Sequence, residues 1–179
     1  LDRNSYDSGD WFNRIDWTYA DNYFGTGLPP EGDNGGNWST MAPLLRNADI
    51  KPTATEIRWT RDAFRDLLKI RASSRLFRLR TSDEIKQRLS FRNTGSDQVA
   101  TVLVGHLDGD GYDGANYDDV LYFVNVDKTA QTLTLPTEAG KAYRLHPVHR
   151  AHDAADRRAA AATYDATGRF VLPPRTAVV

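Results

Sequence analysis

Two apolar periodicities divide this chain, and the switch between them limits its fold more than any other feature. Over residues 53–74, Ile57, Phe64, Leu67, Leu68 and Arg71 fall near one face of a helix, Trp59 and Ile70 widen the stripe, and Ala63 lies between. Thr53 or Thr55 can cap the start, and Glu56 sits in the first turn, where the helix dipole favours negative charge. Arg58, Arg61, Asp62, Arg65, Asp66 and Lys69 fill the remaining positions, so the stripe reads as a packing face rather than a cofactor box. From Ser82 the pattern alternates instead, which puts a domain boundary near Arg80. Strands are expected over 86–92 (Leu89 and Phe91 inward), 99–107 (nearly all apolar), 119–126 (Val120, Tyr122, Val124 and Val126 on one face), 131–135, 141–146, 169–172 and 176–179. Seven or eight short strands separated by turn residues imply an antiparallel β-sandwich over 81–179.

The opening residues, 1–14, have a different character. They crowd Asp2, Asp7, Asp10, Arg3, Arg14, Asn4, Asn13, Tyr6, Trp11 and Phe12 around one glycine. Little of that belongs in a core. Carboxylates and guanidiniums fix pairs of hydroxyls through charge-assisted hydrogen bonds, and flat rings lie against the apolar face of a pyranose, which is sugar-site chemistry carried on a loop. The competing reading is an irregular loop whose charges pair with one another, Arg14 bracing Asp10 or Asp16.

The order of these residues points further. The run Asp2, Arg3, Asn4, Ser5, Tyr6, Asp7, Ser8, Gly9, Asp10, Trp11, Phe12, Asn13, Arg14 closely resembles the segment after the last barrel strand in pullulanases and limit dextrinases, the α-1,6-glucan debranching enzymes of the α-amylase superfamily. The resemblance continues through Leu28, Pro29, Pro30, Asp33, Asn34, Asn37 and Trp38, then Arg71, Ser73, Ser74 and Leu76 to Leu79, and resumes at Phe91 to Gly95. It implies an α+β fragment: residues 1–80 as the last loop and helix of a catalytic (β/α)8 barrel, and 81–179 as the sandwich that follows. It implies that Asp10 and Arg14 grip a glucose on the non-reducing side of the scissile bond, with Trp11 and Asn13 as further substrate-binding residues. Trp11 and Phe12 also suit packing. The nucleophile, the acid and the transition-state-stabilising carboxylate of the family lie on earlier barrel strands, so no catalytic residue is expected here. The chain alone should be inert, as part of a retaining hydrolase of pullulan, starch or limit dextrins. The rival reading is a non-catalytic carbohydrate-binding sandwich module.

Residues 15–52 are expected to form a long, mostly irregular excursion. Ile15, Trp17 and Tyr19 alternate with polar residues, as in a short extended segment, and residues 25–37 hold five Gly and two Pro. Trp17, Tyr19, Tyr23, Phe24 and Trp38 either form a wall of a glucan cleft or pin the loop to its support. Both readings stay open at this point.

With 40% apolar and 26% charged residues, the composition is that of an ordinary globular protein. A net charge of −1 argues against nucleic acid, which needs a clustered basic surface. No apolar run approaches the ~20 residues that span a bilayer. The expected partners are an α-glucan and the rest of the barrel upstream; the chain starts within a motif and its one Met is Met41, as expected of a carboxy-terminal piece. A secreted or cell-surface location is expected, the cytoplasm remaining open. Without cysteine there is no disulfide and no thiolate site.

No cofactor is expected, with calcium the one candidate. Residues 108–119 hold five Asp and three Gly, but Tyr112 and Asp119 stand where an EF-hand wants acidic ligands, so a solvated hairpin loop is preferred. His146, His149 and His152 are evenly spaced, but Pro147 should interrupt the helix that would align them as zinc ligands. Residues 153–162, rich in Ala, Asp and Arg, read as a helical turn or a surface loop.

Overall fold

The computed structural model describes residues 15–179, which divide into two compact units between Asp62 and Ala63, within a long helix. In the first unit the expected extended segment is instead a turn built by Asp16. Its carboxylate accepts from the amides of Thr18, Ala20 and Asp21 at 2.8–3.0 Å and from the Thr18 hydroxyl. Those bonds, Thr18 foremost, hold it down at about 2. Ile15 and Trp17 are consequently turned to solvent, Trp17 with 76% of its surface exposed. Residues 28–50 are less irregular than their composition suggests. A short helix α1 (Glu31–Asn34) runs through a 3-10 turn into α2 (Trp38–Arg46), which tolerates Pro43 inside it. Trp38 Nε1 donates to Pro29 O at 2.9 Å, and the Asn34 side chain to Pro30 O at 3.2 Å.

The helix α3 (Ala54–Ser73) starts with a reciprocal cap: Thr53 Oγ1 accepts the Glu56 amide and Glu56 Oε2 accepts the Thr53 amide. Of its apolar residues Ile70 is buried, whereas Phe64, Leu67 and Leu68 are 61%, 45% and 47% exposed.

The second unit contains two antiparallel sheets. A 3-10 turn at Arg75–Arg78 leads to α4 (Ser82–Arg88), started by a capping box between Thr81 and Glu84, so part of the segment expected as strand 86–92 is helix. The strands are β1 (Leu89–Arg92), β2 (Val102–Asp108), β3 (Asp119–Asn125), β4 (Gln131–Thr134), β5 (Thr163–Asp165), β6 (Arg169–Leu172) and β7 (Thr176–Val178). One sheet runs β1-β2-β3-β7 and the other β4-β6-β5, with Val104 opposite Phe123, Phe123 opposite Val178, and Leu133 opposite Phe170. Val102, Val104, Leu121, Phe123 and Val178 from the first sheet share a core with Leu133, Phe170 and Leu172 from the second. Inward β3 residues are therefore Leu121, Phe123 and Asn125; Val124 and Val126 are on the exposed side. Phe91, expected inward, is half exposed. On the outer side of the first sheet a smaller cluster of Leu76, Leu107, Ala115 and Val120 is roofed by Phe77, Leu79 and Tyr112. Tyr122 lies flat over Gly105, a position where any Cβ would meet its ring.

Residues 141–146 are not a strand, although Tyr143 and Leu145 do pack on the core. Pro147 begins rather than interrupts a turn of helix, α5 (Pro147–Arg150), because proline fits the first helical position. A 3-10 turn follows at Arg157–Ala161.

Candidate functional site

Asp10, Trp11, Asn13 and Arg14 lie outside the described residues. The described part of the first unit that follows them is braced locally. The Asp16 turn presents Tyr19, whose ring is capped by the Arg61 guanidinium at 4.5 Å, and Lys51 approaches Asp21 at 3.8 Å. Tyr19 and Trp38 therefore have structural partners, Arg61 and Pro29, whereas Trp17 stands in solvent.

The sandwich carries a polar network that is not apparent from the sequence. Glu138 is fully buried, in a 3-10 turn (Pro136–Glu138) held by the Glu138 amide on Leu135 O. Its carboxylate accepts from Arg92 Nε at 2.9 Å, Tyr143 Oη at 2.7 Å and Thr137 Oγ1 at 3.1 Å, and pairs with Lys141 Nζ at 3.0 Å. Burial pushes this carboxyl up, but the donors outweigh it, Tyr143 first and then Arg92, Lys141 and Thr137, and hold it down at about 2. Burial and the adjacent carboxylate push the Tyr143 hydroxyl far up. Lys141 reaches on to Asp119 at 3.1 Å, Asp119 takes His106 Nε2 at 2.6 Å, and His106 Nδ1 faces Ser90 Oγ at 3.5 Å. Arg92 closes the ring by donating to Ser90 Oγ at 2.6 Å.

Ser90, His106 and Asp119 stand in the order of a nucleophilic relay, but the chemistry does not follow. The serine oxygen is already engaged by a guanidinium and sits at the limit of hydrogen-bond reach from the imidazole. A carboxylate kept ionised down to pH about 2 has no proton to give near neutrality, so Glu138 is no general acid. The network braces β1, β2, β3 and residues 136–143 against one another.

A second polar cluster surrounds His146. Its Nδ1 accepts the Val148 amide at 3.2 Å, which leaves the proton on Nε2, facing Ser73 Oγ at 3.0 Å and Tyr117 Oη at 3.2 Å. Burial, followed by the neighbouring His149, pushes its pKa down. His149 is buried as well, its Nε2 without a partner among the described residues, and its pKa is lowered by burial against the opposing pull of Asp156 and Asp66. His152 is exposed, so the three imidazoles do not converge. The aspartates of 108–119 also diverge: Asp108 accepts the Asp110 amide, Asp113 pairs with Arg75, and Asp119 with His106 and Lys141. Among the described residues no cluster of three or more His, Asp or Glu is placed to hold a metal ion. No described helix is long and apolar enough to cross a membrane.

Glu138 had no local signal, since Arg92 stands 46 positions away and the charge is hidden in a turn-like Pro-Thr-Glu-Ala-Gly run. The same two-sheet arrangement recurs in known proteins. The sequence model of the family described as alpha-1,6-glucosidases, pullulanase-type, C-terminal, matches residues 19–179. Pullulanase 1, chloroplastic, of Arabidopsis thaliana is 37% identical over 188 residues, covering all of this chain and 19% of that relative. A pullulanase of Klebsiella pneumoniae is 34% identical over 150 residues, covering 83% of this chain and 14% of its own length. Among solved structures, the maltotriose complex of PulA from Klebsiella pneumoniae superposes with a TM-score of 0.81 at 32% identity, covering 99% of this chain and 19% of that one. PulA from Klebsiella oxytoca gives the same TM-score at 29% identity, covering 97% of this chain and 16% of its own. The chain thus spans less than a fifth of the length of these relatives. With the match running through α3, both sheets and β7, this chain belongs to the pullulanase-type α-1,6-glucosidase C-terminal family.

Proposed function

We propose that this chain is the carboxy-terminal part of an enzyme that hydrolyses α-1,6-glucosidic bonds in pullulan, starch or limit dextrins, and that it contributes substrate positioning and a scaffold rather than the reacting carboxylates. The observation that carries the reading is the family match over 19–179, joined to the opening sequence with its Asp10 and Arg14. Residues 1–80 then close a catalytic barrel and 81–179 form the sandwich beside it. The apolar stripe of α3 supports this: Phe64, Leu67 and Leu68 are left exposed at a density that a helix needs only when another surface covers it. The maltotriose bound by the Klebsiella pneumoniae relative supports an α-glucan as the ligand.

Retaining glycosidases need two carboxyl groups about 5 Å apart on opposite sides of the sugar. Among the described residues the buried carboxylate is consumed by cations, and Asp119 is bound on both oxygens. The reacting pair is assigned to strands upstream of Leu1 on the resemblance to the pullulanase family, in which the catalytic carboxylates sit on earlier barrel strands. The test is turnover of pullulan. The purified 179-residue chain should release no maltotriose, while the longer polypeptide with its upstream strands should release it. Turnover by the 179-residue chain, or none by the longer polypeptide, would overturn the reading.

A further inference from the structure

The sandwich has a cleft to which no role has been given so far. It is open, about 630 Å3 in volume, and lies wholly within the second unit, between the 141–150 segment, β5 and the start of β3. That size lies within the ~300–1,000 Å3 range of small-molecule clefts. Tyr117, Tyr143 and Tyr164 line it, and Asp118, Arg144 and Arg150 stand at its rim. Two of the rings are fixed by partly buried bonds: Tyr143 Oη donates to Glu138 Oε2, and Tyr164 Oη to the Glu138 and Lys141 carbonyls at 2.9 and 2.8 Å. They stack edge to face at 5.4 Å. Tyr117 is held against His146, whose own amide donates to Val179 O at 2.8 Å. The floor of the cleft is thus preorganised, a condition that lowers the cost of binding.

The rim is in the opposite state. Asp118, Arg144 and Arg150 are exposed, and their side chains make no hydrogen bond or ion pair among the described residues. Nearly every other charged group bordering the cleft is committed, Lys141 to Glu138 and Asp119, and Asp119 to His106. Two free guanidiniums supply forked donors, one free carboxylate supplies acceptors, and tyrosine rings supply flat apolar surface. That combination suits the vicinal hydroxyls and the apolar face of a pyranose. An isolated anion would leave the carboxylate opposed and the rings unused.

We propose that this cleft is a saccharide-binding site, taking a short α-1,4-linked glucan segment. The choice of α-glucan rests on the function proposed above; the existence of a polyol site rests on the cleft itself.

Side-chain resonances of the 179-residue chain, followed by NMR during titration with maltotriose, test this directly. Signals of Tyr117, Arg144 and Arg150 should shift together, and the double variant Arg144→Ala/Arg150→Ala should raise the Kd at least tenfold with the dispersion of the core signals unchanged. Three results would overturn the proposal: no shift with maltotriose, shifts confined to residues before Ala63, or inorganic phosphate reproducing the shifts and displacing the sugar. Turnover of pullulan is not measured in this experiment. Failure of the cleft therefore leaves the hydrolase reading intact, and loss of the hydrolase reading leaves a measured polyol site.

Discussion

A carboxylate with no exposed surface is costly unless every oxygen is satisfied, and Glu138 shows how this chain meets the requirement. Arg92, Lys141, Tyr143 and Thr137 all converge on it, so one side chain ties β1 to the segment between β4 and β5. Glu138→Gln would leave Arg92 without its counter-charge and Lys141 with Asp119 alone. Both cations retain some contact with water, which places the loss at the low end of the range for a broken buried pair, about 3 kcal/mol at neutral pH. The pH dependence has a defined sign. Glu138 titrates near 2 when folded against an ordinary 4.5, so its contribution is fully present above about 4.5 and is lost as the pH falls toward 2. Urea unfolding across that window should show a steep fall in wild-type stability and a shallower one in the variant. Equal slopes and equal midpoints would show that Glu138 carries no stabilising charge.

At the scale of elements, strength of period decided what was legible. The helix expected over 53–74 and the helix observed differ by one residue at each end, because a twenty-residue stripe with a reciprocal cap leaves little freedom. The strand at 169–172 matches as well. Short or interrupted elements were misread. In α4, Leu89 and Phe91 gave a period of two that ran backwards over Lys86 to Arg88, while the capping box of Thr81 with Glu84, three positions on, was the signal that counted. α2 fell within residues 15–52, read as an irregular excursion on the Gly and Pro of 25–37, a run that stops just short of it. At 141–146 the alternation is real, but Lys141 and Tyr143 are drawn toward Glu138, a residue whose importance only the folded chain reveals. The candidate saccharide residues at the cleft were illegible for the same reason, since Tyr117, Arg144 and Tyr164 are brought together by topology alone. The exposed stripe of α3 carries its own prediction. Phe64→Ser and Leu68→Ser should each change the stability of the 179-residue chain by no more than about 0.5 kcal/mol, as exposed substitutions do. In the longer polypeptide each should cost about 2–4 kcal/mol, as truncation of a buried large side chain does. Calorimetric unfolding of both forms separates the outcomes, and an equally small effect in the longer form would mean the stripe is never covered.

For the whole molecule, the fold and the family are fixed by different observations. The match to known pullulanases in shape runs over 99% of the chain, sandwich and preceding elements alike, while the family comes from the sequence match over residues 19–179. Binding energy gathered away from the reacting bond serves catalysis by alignment, so residues that touch the glucan without reacting still govern the rate. That is the role proposed for Asp10 and Arg14. The most direct test is the kcat/KM of the longer polypeptide on pullulan, with Asp10→Ala and Arg14→Ala compared with wild type at matched folded fraction. The account predicts that each variant loses at least tenfold in kcat/KM while its thermal midpoint stays close to that of wild type. Wild-type kinetics in both variants would contradict it and leave the opening segment as a self-paired loop.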